Sequence, residues 1–96
     1  MTIACEILAV KIKANITATS MVLSQTECVE PCDTDVTITW TNTGGIPGPF
    51  EPAIVVNGVR TGAGYNQNVE AGATFSETFN LTALVANTYT CCPDPN

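Results

Sequence analysis

The segment 35–42 constrains the fold of this chain more than any other part of its sequence. Val36, Ile38 and Trp40 alternate there with three threonines. Because successive side chains of a β-strand point to opposite faces, the alternation places the apolar side chains on one face and the threonines on the other. The segment therefore predicts a half-buried strand with Trp40 in the hydrophobic core.

Composition extends the prediction of β structure to the rest of the chain. Threonine is the commonest residue, with 15 of 96, and threonine, valine and isoleucine together supply 31. β-Branched side chains suit pleated strands and lose rotamer freedom in helices. Turn signals, among them the hairpin dipeptide Asn57-Gly58, separate the β-prone runs, and 62–72 reads as a loop. Besides 35–42, the runs that we expect to form strands are 2–12, 15–23, 50–56, 59–61, 73–81 and 87–92.

Within 73–81 the alternation also predicts which side chains face the core. Phe75 and Phe79 fall on one face of the strand and are expected to point inward. Glu77 falls on that same face, which breaks the apolar pattern. An edge position or a bulge would accommodate it.

Charge and residue content exclude several classes of function. The chain has three basic residues against nine acidic ones and contains no histidine. It therefore lacks the basic surface that nucleic acids require, and it lacks the commonest general base and metal ligand. No apolar run approaches the ~18 residues of a membrane-spanning helix. We expect a non-enzymatic protein of one domain, residues 1–96, without cofactor, resident metal, nucleic-acid partner or membrane span.

The order of the later segments resembles the CARDB module, a surface domain of archaea and bacteria. The shared features are a Thr-rich strand ending in WTNTGG (40–45), the Asn57-Gly58 hairpin, EAGATFSETFNL (70–81) and NTYTCCPDPN (87–96). The resemblance implies an immunoglobulin-like or fibronectin-III-like antiparallel sandwich of about seven strands, used in adhesion or surface display, without catalytic residues. It also likens Tyr89 to a tyrosine corner, a packing device of such sandwiches. The residues that match the family pattern are Asn42, Gly44, Asn57, Gly58, Gly72, Phe75 and Tyr89.

The chain departs from that family at both ends. A CARDB module continues into one more strand where this sequence stops, whereas residues 1–11 form an extra β-prone run at the start. We expect the N-terminal segment to take the place of the missing strand, either in its own chain or in a neighbour. The second arrangement builds a filament, because a head-to-tail contact that does not close polymerises. The side chains that we expect to be buried in this way are Ile3, Ile7, Leu8, Val10 and Ile12.

Five cysteines favour an oxidising compartment, and their odd number leaves one thiol unpaired or paired with another chain. Cys28 and Cys32 are close enough in sequence to close a short loop. Cys5 paired with Cys92 or Cys91 would clamp the N-terminal strand, within one chain or between two. Strand parity directs Cys91 to the core and Cys92 outward, so Cys91 is the simplest free thiol.

Metal binding and glycosylation remain as alternatives for particular clusters. The second cysteine pair of a zinc site would be the adjacent Cys91 and Cys92, whose side chains point to opposite faces, so disulfides are favoured. The acidic residues of the first loop have the oxygen ligands that calcium prefers but lack EF-hand spacing, and a solvated loop is favoured. Asn15 and Asn80 begin glycosylation sequons, and Tyr65 is the aromatic residue expected to be exposed. The acidic residues are Glu27, Glu30, Asp33 and Asp35.

These observations predict a structural subunit of an extracellular assembly, a surface filament or a virus particle, built by strand complementation through the N-terminal segment. Its partners are then other copies of itself or neighbouring surface or virion proteins. The alternative is a monomeric adhesion or ligand-binding module cut from a larger surface protein. Both place the chain outside the cell, at the cell surface or on a virion.

Overall fold

The computed structural model describes residues 4–64 and 66–94, and within them it is built of antiparallel β-strands without a helix. The all-β fold class that the composition predicts is therefore confirmed. The elements are β1 (Ile16–Leu23), β2 (Cys32–Asn42), β3 (Gly48–Phe50), β4 (Ala53–Val56), β5 (Val59–Ala63), β6 (Gln67–Val69), β7 (Thr74–Leu84) and β8 (Cys91–Pro93).

The strands form three antiparallel sheets. The first has the order β1-β2-β7, the second pairs β3 with β6, and the third has the order β5-β4-β8. In the first sheet, Trp40 of β2 lies opposite Ala18 of β1 and opposite Phe75 of β7. Within the described residues, β1 and β8 are thus edge strands of two different sheets.

The core lies on the inward face of β2, as the alternation predicts. Val36 and Ile38 are fully buried, and Trp40 is 1% exposed. The Trp40 ring packs on Phe50 and Phe75, with centroid distances of 5.4 and 5.5 Å. The full buried cluster consists of Val36, Ile38, Trp40, Phe50, Ile54, Val69, Phe79 and Leu81.

The outward face of the same sheet carries a ladder of hydroxyl pairs between β2 and β7. Thr37 bonds Thr78 at 2.9 Å, Thr39 bonds Ser76 at 2.7 Å, and Thr41 bonds Thr74 at 2.9 Å. These pairs sit at alternate positions, so the threonines are hydrogen-bonded to the facing strand while the apolar residues between them fill the core.

Four sequence expectations about strands need correction. The run 87–92 is a strand only from Cys91, where β8 begins. Before it, the N–H groups of Thr88 and Thr90 bond the side chains of Asn87 and Asn57 instead of a neighbouring strand. The residues described within 2–12 form no strand; they lack a neighbouring strand in this structure. The run 50–56 is divided, because β3 ends at Phe50 and the buried Pro52, which has no N–H to donate, precedes β4. The expected loop over 62–72 contains β6, a three-residue strand too short to show an alternation.

Glu77, the exception to the inward pattern of β7, is half-buried and lies beside Gly64. A Cβ at Gly64 would come within 2.9 Å of the Glu77 carboxyl group. The absent side chain therefore leaves room for a carboxylate on the inward face. Of the two expected settings, the edge position is confirmed, because β7 is an edge strand of its sheet. The pairing with β2 is regular at Glu77, so no bulge lies there.

Candidate assembly surface

The candidate functional surface is an open seam between the edge strands β1 and β8. Two depressions lie along it. The first, of about 300 Å³, lies where β1 begins and β8 ends, and Ile16, Ala18, Trp40 and Pro93 line it. We call this the Trp40 end. The second depression, of about 460 Å³, lies where β1 ends and β8 begins, with Leu23 and Cys91 in its wall. We call this the Leu23 end.

Ala18 shows that the seam is open on the β1 side. It lies opposite Trp40 in the sheet and shares the inward face with it, yet it is exposed. Ile16 and Leu23, which point to the same side, are only half-buried. Inward side chains remain this accessible because no strand covers them within the described residues.

The outer edge of β8 has backbone groups that face away from β4. Asp94 N–H donates to Ala53 at 3.0 Å, and Thr90 accepts the N–H of Asn57 at 2.9 Å. In an antiparallel pair, hydrogen-bonded residues alternate with residues whose N–H and C=O point to the other side. The N–H and C=O of Cys91 and the C=O of Pro93 therefore point into the seam.

The end of β8 is held in place by an ion-pair cluster that local sequence patterns do not predict. Arg60 of β5 bonds Asp94 through Nε at 2.8 Å and bonds Glu51 through Nη2. The hydrogen bond that Arg60 donates to Glu51 raises the pKa of Arg60 above its ordinary value. Asp94 is 6% exposed, and a buried carboxylate needs such a partner. Arg60 is 9 positions from Glu51 and 34 positions from Asp94 in the sequence, and the pairing of β5, β4 and β8 brings the three residues together.

The N-terminal segment, residues 4–13, is exposed throughout and extends away from the strands. The molecule measures 81 × 20 × 19 Å as a result. Ile7 is 97% exposed, Leu8 and Val10 are each 85% exposed, and Ile12 is 70% exposed. Four of the five side chains expected to enter a seam thus lie in water in the isolated chain, and the fifth, Ile3, falls outside the described residues.

The base of the N-terminal segment is fixed to the loop after β2. Gly45 N–H donates to the carbonyl of Ile12 at 2.7 Å, and Thr43 N–H donates to the carbonyl of Asn15 at 2.8 Å. A Cβ at Gly44 would overlap the backbone of Lys13. The segment therefore leaves the folded strands at the Trp40 end, directed by backbone hydrogen bonds and by a glycine that permits close approach.

The cysteines divide into one disulfide and three free thiols. Cys28 and Cys32 are bonded, with Cα atoms 6.0 Å apart, which confirms the expected closure of this loop. Cys5 and Cys92 are exposed and free, so the clamp from Cys5 to Cys92 or Cys91 is not formed within one chain. Cys91 packs against the core, as its parity predicts. Burial raises the pKa of the Cys91 thiol above its ordinary value of 9.0, and the neighbouring Cys92 raises it further.

Two of the carboxylates proposed as calcium ligands accept hydrogen bonds from backbone N–H groups. Glu30 accepts the N–H of Ala86 at 2.6 Å, and Asp33 accepts the N–H of Ala83 at 2.8 Å. Across the described ranges, no group of three or more cysteine or carboxylate side chains is arranged to hold a metal. Glu30 therefore attaches the first loop to the turn that follows β7, and Asp33 joins the start of β2 to the end of β7.

The remaining candidate residues have structural surroundings of their own. Tyr89 donates its hydroxyl to the carbonyl of Val85 at 2.8 Å, which is the bond expected of a tyrosine corner. Asn15 is exposed and its side-chain amide donates to Thr43 at 3.1 Å. Asn80 is exposed on β7. Tyr65 falls outside the described residues.

No family model, curated protein or solved structure matches the chain. The resemblance to the CARDB module therefore stays a prediction. Among the residues that the structure describes, no helix is long and apolar enough to cross a membrane.

Proposed function

We propose that this chain is a non-enzymatic structural subunit of an extracellular filament or virus particle. Each copy inserts its N-terminal segment into the seam of a neighbour, where the segment supplies the strand between β1 and β8. The observation that carries the proposal is the combination, in one chain, of an open apolar seam and an unpaired apolar segment.

The arrangement of strands supports an immunoglobulin-like sandwich as the fold of the completed subunit. The orders β1-β2-β7 and β5-β4-β8 are those of two facing antiparallel sheets. The hydrogen bond of Tyr89 fits such a sandwich. One strand added beside β8 would cover the inward side chains of both edges at once.

The energetics favour burial of the segment over its exposure. Full burial of a leucine, valine or isoleucine side chain stabilises a protein by about 1.5–3 kcal/mol. Leu8 and Val10 alone would contribute about 3–6 kcal/mol on this basis, before the entropy of ordering the segment is subtracted. The exposed edge of β8 gains hydrogen bonds in the same step.

The Cys28–Cys32 disulfide supports an extracellular location, because disulfides persist in oxidising compartments. The small number of charged residues and the hydroxyl ladder on β2 and β7 give the outer face a neutral polar surface. Such a surface suits a subunit whose outer face stays exposed to solvent after the seam is filled.

The test compares the full chain with two doubly substituted variants that add equal charge. The first is Leu8→Asp with Val10→Asp, and the matched control is Ala4→Asp with Ala9→Asp. All four positions lie in the exposed segment, so both variants should keep the circular dichroism spectrum of the parent. Light scattering after size exclusion, with electron microscopy of the void fraction, measures assembly.

We expect the full chain and the Ala4/Ala9 control to assemble and the Leu8/Val10 variant to stay monomeric. A full chain that elutes as a stable monomer of 10.1 kDa contradicts the proposal and favours an adhesion or ligand-binding module. Equal assembly of both variants also contradicts it, because the apolar side chains would then have no part in the contact.

A further inference from the structure

We infer that the N-terminal segment of a second copy lies in the seam antiparallel to β8, with its Cys5 toward the Trp40 end and its Val10 toward the Leu23 end. This inference rests on the proposed function and specifies the direction of the contact. It makes every subunit of the assembly point the same way.

The first argument comes from the edge of β8. Cys91 turns both its N–H and its C=O into the seam, so a donor strand can bond β8 there. In a parallel donor the two bonds go to two residues, and in an antiparallel donor both go to one residue. A donor in this direction continues the antiparallel pairing of β5, β4 and β8. The donor residues that lie opposite Cys91 and Pro93 then point inward, as those two residues do.

The second argument comes from the space at the two ends of the seam. The base of each copy's own segment already occupies its Trp40 end. There Ile12 accepts the N–H of Gly45, and the backbone of Lys13 lies against Gly44. An antiparallel donor enters the acceptor from the Leu23 end, so the body of the donor lies beyond Leu23 and avoids this base. A donor parallel to β8 would bring two Trp40 ends, with both segments, against each other.

The two directions also differ in the assembly that they build. The antiparallel direction joins the Leu23 end of one copy to the Trp40 end of the next, and such a heterologous contact repeats without closing. The parallel direction joins Trp40 end to Trp40 end, and two copies can then exchange segments and close as a dimer. An open chain of subunits requires the antiparallel direction.

The segment is long enough for this task. Residues 4–12 extended at about 3.3 Å per residue span about 30 Å, and the eight residues of β1 span about 26 Å on the same measure. One segment therefore covers the seam from the Leu23 end to the Trp40 end while its base stays attached to its own chain.

Cross-linking through the native Cys5 tests the direction. In a background of Cys91→Ala and Cys92→Ala, one variant carries Ala18→Cys at the Trp40 end, and its matched partner carries Ala86→Cys at the Leu23 end. Both alanines are exposed and each lines one depression of the seam. Oxidised glutathione serves as the oxidant: each disulfide formed gives two electrons and two protons to one molecule, which becomes two reduced glutathiones.

We expect a ladder of covalent oligomers on a non-reducing gel for the Ala18→Cys variant and at least tenfold less for Ala86→Cys. The reverse yield overturns the direction. Assembled particles with no ladder from either variant overturn the seam as the docking site. A wild-type species of about twice the 10.1 kDa chain mass, with nothing larger, overturns the direction without any substitution. A monomeric wild type refutes the proposed function itself.

Discussion

The side-chain carbonyl of Asn42 accepts the backbone N–H of Asn15 at 3.1 Å, and this bond joins the end of β2 to the residue before β1. The same oxygen accepts the N–H of Gly44 at 2.9 Å, while the amide group donates to Ile46 and Val69, each at 2.9 Å. Asn42 is fully buried. It therefore fixes the base of the N-terminal segment and the loop after β2 at a single point.

Replacement of Asn42 should destabilise the fold and loosen the base of the segment. Asn42→Ala leaves two N–H groups and two carbonyls without their partner, and each unsatisfied buried group costs about 1–3 kcal/mol. Because water can reach some of them, we expect a loss of about 2–4 kcal/mol in the free energy of unfolding. Urea denaturation measures it, and Asn68→Ala, at an exposed position of β6, should change stability by less than about 0.5 kcal/mol.

Gly44→Ala should displace the N-terminal segment from its base. The added Cβ would overlap the backbone of Lys13 and Ala14, so either the loop after β2 or the base of the N-terminal segment must move. We expect faster amide exchange at Gly45, whose N–H bonds Ile12, together with weaker assembly. Gly58→Ala is the control: its φ of 81° strains an alanine by about 1 kcal/mol or more, yet assembly should remain unchanged. Equal assembly of both variants would show that the base does not direct the segment.

Reduction of the Cys28–Cys32 disulfide should lower stability without dissolving the assembly. A loop this short is worth about 2 kcal/mol in the chain-entropy account of cross-links. We expect the free energy of unfolding to decrease by that amount after treatment with a phosphine reductant. The control is untreated Cys92→Ala, which loses one thiol but retains the disulfide. Particles should survive reduction, because strand pairing and apolar contact hold them. Their dissolution on reduction would show that covalent bonds hold the copies together.

The three free thiols should differ in reactivity, and assembly should slow the reaction of Cys91 further. Only a thiolate is alkylated, and the pKa of Cys91 is raised by burial, so Cys91 should react more slowly than Cys5 or Cys92 at pH 8. Mass spectrometry of digested protein gives the three rates. In assembled particles Cys91 should become unreactive, because a donor strand covers it. An unchanged rate at Cys91 would contradict occupation of the seam.

The same raised pKa has a consequence for stability. The thiol form of Cys91 is favoured in the folded state, so its contribution is fully present below the unfolded pKa, near 9.0, and is lost as pH rises through the higher folded value. Unfolding at pH 8 and pH 10.5 should therefore show a lower stability at the higher pH. Cys91→Val should reduce the difference in stability between the two pH values. Cys92→Ala should reduce it by a smaller amount.

Local patterns predicted the strands because each pattern is set by neighbours in sequence. The alternation around Trp40, the inward position of Phe79 and the opposite faces of Cys91 and Cys92 all follow from the two-residue period of a strand. The strand β6 escaped this reasoning, because three residues are too few to show a period. The roles of Asn42 and Arg60 escaped it as well, since their partners are remote in sequence.

The sequence by itself determined that the chain is built of β-strands, which faces of β2 and β7 are buried, and that the first eleven residues hold apolar side chains in excess. Only the tertiary structure decided where those side chains lie. An apolar run gains as much from burial in its own chain as in a neighbour, so its pattern does not distinguish the two. The hydrogen bonds at Asn15 and Ile12 direct the described part of the segment away from the seam of its own chain, so its side chains stay exposed there. Their burial in a neighbour is the proposal that the assembly experiments test.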